Sequence, residues 1–333
     1  NETGTKQTTA RAGSVPRAPR APAWSALARA LTRTAAVRRM ARHADGRCVA
    51  RAERRRPGPR RLGPAGPAVA ALLIGFPAGA AWFAQSSGTS ADLHDVTVNH
   101  GNHDIAWACG AGGVIVGTTN GGATWTPLPS GTDRDLYGIA FLELEGGPVV
   151  AVGAEGTILI TFDEGVSWQP RPSGTVETLR EISDFGELIV GDRGTILHSP
   201  DFGLTWVPQA SPDTARLNGI AGGFGRMAVG DDGTILTANG SSGPWVRKES
   251  GVTVDLHAVP MFAARDFCVG DGGTILRSDD FGTTWIPASS GTTQNLRGVE
   301  YSVNNDSRIY VVGDGGTILR STDGGDSWFQ QGT

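Results

Sequence analysis

Gly313-Asp-Gly-Gly-Thr-Ile-Leu-Arg-Ser-Thr-Asp-Gly-Gly-Asp-Ser-Trp328 is the sixth copy of a motif that recurs along this 333-residue chain. From its Thr to its Trp is eleven residues, and every copy keeps that distance. The pairs are Val114 and Trp125, Thr157 and Trp168, Thr195 and Trp206, Thr234 and Trp245, Thr274 and Trp285, Thr317 and Trp328. Self-similarity at a period of roughly 40 residues is the signature of a repeat array or a propeller.

Four short strands fit each repeat. The first alternates in the strand manner, as in Asp135-Leu-Tyr-Gly-Ile-Ala-Phe141. The second is a β-rich run ending in Val-Gly, such as Val149-Val-Ala-Val-Gly153 or Leu188-Ile-Val-Gly191. An Asp-Gly or similar pair then predicts a two-residue hairpin, because such residues tolerate positive φ. Thr-Ile-Leu is the third strand, and the Trp opens the fourth. Four antiparallel strands per unit, with no helices between units, predict an all-β propeller. Six complete copies predict six blades. Trp82-Phe-Ala-Gln-Ser-Ser-Gly88 matches Trp125-Thr-Pro-Leu-Pro-Ser-Gly131 in register, and Gly332-Thr333 stands near where another first strand would begin. A seven-bladed parent is therefore the alternative.

The turn before each Trp carries a second pattern, Ser-x-Asp-x-Gly-x-x-Trp. It is complete around Asp201, Asp280 and Asp323; Asp163 follows a Thr in the Ser place, Asn120 replaces the Asp in the first copy, and the fourth copy keeps only Trp245. A short carboxylate or amide can bind its own turn backbone while the Trp packs between blades. That local role argues against a metal ring at these positions, and no Cys/His spacing suggests zinc.

This turn resembles the Asp-box, or BNR repeat, of sialidases, sortilin-type receptors and photosystem II assembly factors. The wider pattern, Trp, a Ser-Gly-Thr loop, a Leu-x-x-Val/Ile strand and Val-Gly-x-x-Gly-Thr-Ile-Leu, resembles the photosystem II stability/assembly factor family and its non-photosynthetic bacterial relatives. The resemblance covers about residues 82–333 in all six copies. It implies a β-propeller without cofactors that binds a protein partner such as a membrane-complex subunit, with a role in photosynthesis only where the host is photosynthetic.

Charge divides the chain. Residues 1–63 hold fifteen Arg and one Lys against three acids, a net +13; the chain total of −4 leaves about −17 for the rest. This asymmetry predicts an Arg-rich targeting leader (1–63), with nucleic-acid binding as its rival reading, and an acidic domain unsuited to nucleic acid. The segment 64–84 contains an uncharged apolar run, Pro67 to Ala84, interrupted by Pro77 and offering Ala78-Gly79-Ala80 as a cleavage site. It fits a signal-peptide core better than a stable anchor. The expected destination is a bacterial periplasm, the exterior or a thylakoid lumen, with the propeller spanning 85–333. Cys48 lies in the leader, and Cys109 and Cys268 fall one residue out of register in non-adjacent blades, which argues against a disulfide.

Function should sit where the repeats differ. Leu-to-Thr spacing varies (21, 21, 16, 17, 18 and 21), whereas Trp to the next strand-one Leu is always eleven. Length variation therefore falls in the hairpins between strands one and two, and the Ser-Gly-Thr face is short and regular. Enzymes build pockets from divergent loops, so a regular face predicts docking. The residue after each strand-one Leu does vary: His94, Tyr137, Arg180, Asn218, His257 and Arg297. These six are expected to ring the channel mouth, beside the hairpin acids Glu155, Asp192, Asp231, Asp271 and Asp314. One reading makes them a brace of Arg–Asp pairs between blades; the other makes them a polypeptide contact, since Tyr and Arg are favoured anchors. A sialidase-like hydrolase or a carbohydrate-binding propeller is the competing function. Two Arg and one Tyr resemble part of a sialidase site, but the Arg-Ile-Pro motif is absent and the sequence assigns Tyr137 no acidic partner. No catalytic, cofactor or metal residue is therefore assigned.

Overall fold

A computed structural model describes residues 85–142, 147–183, 186–222, 225–240, 243–260, 265–302 and 305–331. The leader, the apolar run with Trp82, and the tips of five strand-one to strand-two hairpins lie outside the described residues. Those described form six four-stranded antiparallel sheets, each a simple meander in chain order. The innermost strands are Leu93–Val98, Leu136–Phe141, Leu179–Ile182, Leu217–Ala221, Leu256–Ala258 and Leu296–Ser302. The first five each pack beside the innermost strand of the next sheet, and the sheets are the blades of a six-bladed β-propeller. Among the described residues, no helix is long and apolar enough to cross a membrane.

In blades two to five, second and third strands are largely apolar on both faces because each of these blades has a neighbour on either side. Val149–Gly153 and Leu188–Gly191 are buried throughout. The resulting cores straddle blade boundaries: Val150, Ile160 and Leu142 of blade two pack with Leu179, Ile189 and Trp206 of blade three. Each such Val, Leu or Ile contributes about 1.5–3 kcal/mol when withdrawn from water. The repeat tryptophans reach across these boundaries. Trp245 packs on Leu188 and Val190 of blade three, Trp285 on Met227 and Val229 of blade four, and Trp328 stands edge-on to Phe267 of blade five. Trp168 lies against the Trp107 cluster of blade one. Cys109 and Cys268 are buried free thiols.

The Asp-box turns close on themselves as their residue types require. In blade two, Thr161 Oγ1 donates to Asp163 Oδ1 (2.7 Å), and the backbone N–H of Gly165 donates to Thr161 Oγ1 (3.0 Å). Ser167 donates to the same carboxylate through its N–H (2.9 Å) and its hydroxyl (2.6 Å). Asp201, Asp280 and Asp323 repeat the arrangement, and Asn120 reproduces it with its amide oxygen. Donation from Ser167 and Ser327 holds the Asp163 and Asp323 carboxyls down at about 2, and the Thr284 N–H lowers that of Asp280. These carboxylates are consumed by their own turns.

The connection after strand two differs from the sequence expectation. It is a three-residue single 3-10 turn, not a two-residue hairpin: Ala154-Glu155-Gly156 in blade two, with φ of 53° at Glu155 and 67° at Gly156. The third residue is needed because Gly153 N–H bonds across the turn to Thr157 O (3.0 Å), while Thr157 N–H reaches back to Ala154 O (3.1 Å).

Candidate functional site: a ring of six β-bulges

The six residues singled out after the strand-one Leu share one backbone feature. In blade two, Leu136 pairs with Gly153 and Gly138 with Val152, so Tyr137 is the extra residue of a β-bulge. The same shift isolates His94, Arg180, Asn218, His257 and Arg297 in their blades. A bulge frees one side chain from the alternation of its strand and re-aims it. This explains why these positions vary in chemistry while the flanking Leu does not.

Glycine makes the bulge possible. The second strand ends in Gly110, Gly153, Gly191, Gly230, Gly270 or Gly313, and the backbone of strand one lies directly against it. A Cβ on Gly191 would stand 2.1 Å from Thr178 O, and one on Gly230 would stand 2.0 Å from Arg216 O. Their φ values, −169° and −165°, are ordinary extended backbone, so it is the contact that requires glycine.

Bulged side chains of neighbouring blades meet in two groups, and others reach the next blade's backbone. The His94 and Tyr137 rings stack with centroids 5.0 Å apart, and the Arg180 guanidinium carbon lies 5.0 Å from the Tyr137 ring centroid. Asn218 Nδ2 donates to Leu256 O of the next blade (3.0 Å), and Arg297 Nη1 meets His257 Nε2 at 2.8 Å. His94 Nδ1 lies 2.8 Å from Leu136 O of blade two.

The hairpin acids stand beside them, as expected, but the pairing runs mostly within blades. Arg180 grips Asp192 through Nε (2.9 Å) and Nη2 (3.2 Å). Arg297 holds Asp314 in the same two-pronged way (3.1 and 2.9 Å), and His257 Nε2 sits 2.7 Å from Asp271 Oδ1. Both partners of each pair come from one sheet, because the bulge and the turn after strand two are adjacent in the same ladder. Among the described pairs that the hairpin acids make, only the looser contact of Arg297 with Asp271 (3.7 Å) crosses blades. Within the ring, the expected inter-blade Arg–Asp brace is thus limited to that contact, and the other described links between blades are the Arg297–His257 contact, stacking and side-chain-to-backbone bonds. The Asp314 bond raises the Arg297 pKa, and its return effect lowers that of Asp314.

Two further features escaped the sequence reading. Glu155 pairs with Arg134 (2.7 Å), and Asp231 binds Arg216 (Nη2, 3.1 Å) as well as Asn218 (2.9 Å), so arginines just before the strand-one Leu also reach the acids. Tyr137 does have an acidic neighbour: its hydroxyl donates to Asp135 Oδ2 at 3.4 Å. Burial and the Asp135 charge raise the Tyr137 pKa.

No family model and no curated protein matches the chain. Among solved structures it is similar to one described as YCF48 bound to D1 peptide, with 22% identity and a TM-score of 0.60 over 73% of this chain and 82% of that one. It is also similar to YCF48 from Cyanidioschyzon merolae, with 16% identity and a TM-score of 0.59 over 73% of this chain and 86% of that one. At these identities the likeness is one of fold: the chain is a β-propeller similar in fold to these YCF48 structures.

Proposed function

We propose that this chain is an exported, non-enzymatic docking protein whose bulge ring holds a segment of a partner polypeptide during assembly of a membrane complex. The observation that carries the reading is the continuous, partly exposed series His94–Tyr137–Arg180 with Arg297 and His257 on the same set of bulges. Guanidinium groups fixed by bidentate carboxylates are pre-oriented, so little rotamer freedom is lost when their remaining N–H groups take backbone carbonyls or a carboxylate. The D1 peptide bound by a structurally similar protein is a reasonable first ligand. Export and removal of the leader complete the proposal; its support is the Arg-rich, acid-poor composition of residues 1–63 and the apolar run behind it.

A fluorescein-labelled D1 peptide titrated with the protein should show saturable anisotropy that falls as salt is raised. The double variant Arg180→Ala/Arg297→Ala should lose at least about tenfold in affinity, the loss of one to two charge-assisted contacts. Its melting temperature should change little, since exposed ion pairs contribute modestly. A variant that melts early yet binds as before would make the ring a brace and refute the docking role. The hydrolase reading predicts turnover of a fluorogenic sialoside, whereas the docking reading predicts none.

A further inference from the structure

Donors and acceptors match at Asn218 and His94 and conflict at His257. Asn218 Nδ2 carries two hydrogens and meets two acceptors, Asp231 Oδ1 (2.9 Å) and Leu256 O (3.0 Å). His94 Nδ1 faces a carbonyl, Leu136 O (2.8 Å), which can only accept, so that nitrogen carries the hydrogen. His257 Nε2 lies 2.7 Å from Asp271 Oδ1, a carboxylate oxygen that accepts, and 2.8 Å from Arg297 Nη1, which can only donate. One ring nitrogen satisfies either neighbour, never both at once. As N–H it donates to Asp271 and points a hydrogen toward the guanidinium. As a bare lone pair it accepts from Arg297 and faces a negative oxygen.

The two states differ in what they leave free on Arg297. Asp314 holds its Nε and Nη2 (3.1 and 2.9 Å), so Nη1 is the edge available to a ligand. The Arg297 side chain is 47% exposed and that of His257 only 15%, so a partner meets the guanidinium while the imidazole acts through it. Asp271 reaches the imidazole from the turn of its own blade, and Arg297 and Asp314 stand on the blade-six side. Asp255, two residues upstream, accepts the Asp232 N–H (3.1 Å). Blade four contributes Asn218 and the Arg216–Asp231 pair (3.1 Å). Cys268, in the adjacent strand, is a thiol that burial keeps protonated. Asp266 and Arg226 lie at the far ends of their second strands, and Glu300 accepts the Tyr301 N–H (2.8 Å).

We propose that His257 is a positioning residue whose protonation releases Arg297 Nη1 to the partner, so that docking on the ring takes up a proton from solvent. This rests on the docking reading above and adds its regulation. Imidazole is the side chain whose charge changes between about pH 5 and 8. At the acidic end the imidazolium donates from both nitrogens, which commits Nε2 to Asp271 and closes it to Arg297. Nη1 then turns outward to a carbonyl or carboxylate of the bound polypeptide, with the imidazolium adding positive charge behind it. At the alkaline end the tautomer with its hydrogen on Nδ1 lets Nε2 cap Nη1, and the partner must compete with that bond. Because the partner favours the protonated form, its binding favours protonation in return.

The test titrates rhodamine-labelled D1 peptide with the full chain at fixed ionic strength, from about pH 5.5 to 8. Affinity should fall at least about fivefold as pH rises, within the tenfold per pH unit that one linked proton allows. His257→Gln keeps an amide donor for Asp271 but cannot titrate, and its affinity should stay flat within about twofold. His94→Gln should keep the slope. A second measurement needs no partner. In the ¹⁵N-labelled protein the Arg297 Nε–H resonance should titrate together with the His257 imidazole, and should cease to do so in His257→Gln. A flat profile in the parent protein, or a slope retained in His257→Gln, overturns the proposal. An Arg297 resonance that ignores the His257 titration does so as well. A peptide that binds at no pH overturns the docking reading and the coupling with it, whereas an Arg297 resonance that still follows His257 upholds the proton-dependent contact.

Discussion

Gly191→Ala is expected to lower the unfolding free energy by about 3 kcal/mol, the upper range for forced overpacking of a rigid site. The added Cβ would stand 2.1 Å from Thr178 O and 3.1 Å from the Cα of Leu179. Neither atom can yield cheaply, since both belong to backbone and the Asp192 N–H is anchored to that same carbonyl at 2.9 Å. The damage should reach the ring as well. Arg180 bulges between Leu179 and Glu181, opposite Gly191 and Val190, so strand separation here would also disturb the Arg180–Asp192 pair. Gly174→Ala is the control. That glycine has a φ of +74° but nothing within 4 Å of its Cβ position, so the cost should be only the left-handed backbone term, about 1 kcal/mol. Urea denaturation of both variants measures the difference. Equal losses would show that the close approach of strands at the bulge is relieved without penalty.

Trp285→Ala should cost about 3–5 kcal/mol, as deletions of buried aromatics do. Its ring is 8% exposed and packs against Met227 and Val229 of blade four as well as Leu276 of its own blade. Removing it empties a volume bounded by two sheets, and sheets tied into a ring cannot collapse far to fill it. Trp125, only partly buried and bonded to exposed Gln85, should cost clearly less when truncated. A midpoint shift for Trp285→Ala equivalent to under about 1 kcal/mol would contradict the account of inter-blade packing.

The fold was legible because its determinants are local and repeated. Each Val-Gly, Thr-Ile-Leu and Ser-x-Asp-x-Gly-x-x-Trp codes a strand end, a strand and a self-closing turn, and six copies at one spacing leave a propeller as the consistent assembly. The site was half legible. Variation at His94, Tyr137, Arg180, Asn218, His257 and Arg297 identified the positions, but the bulge that re-aims them did not appear in the alternation pattern. Its trace was present in the glycines opposite each strand-one Leu, whose meaning is a close approach and not a turn. Pairing within blades instead of between them was hidden for the same reason, because a bulge moves a side chain toward its own hairpin. Asp135 was overlooked as a partner of Tyr137 since residues two apart in a regular strand share a face without touching, whereas the register shift at Tyr137 brings them to 3.4 Å.

The docking claim is tested most directly by placing a photo-crosslinking phenylalanine derivative at Asn218, on the ring, and in a second protein at Phe281, on the exposed Asp-box turn of blade five. Each protein is irradiated with bound D1 peptide, and the crosslinked products are mapped by mass spectrometry. The account predicts peptide crosslinks from position 218 and none from position 281. Crosslinks from position 281 alone would place the contact on the Asp-box side and contradict it.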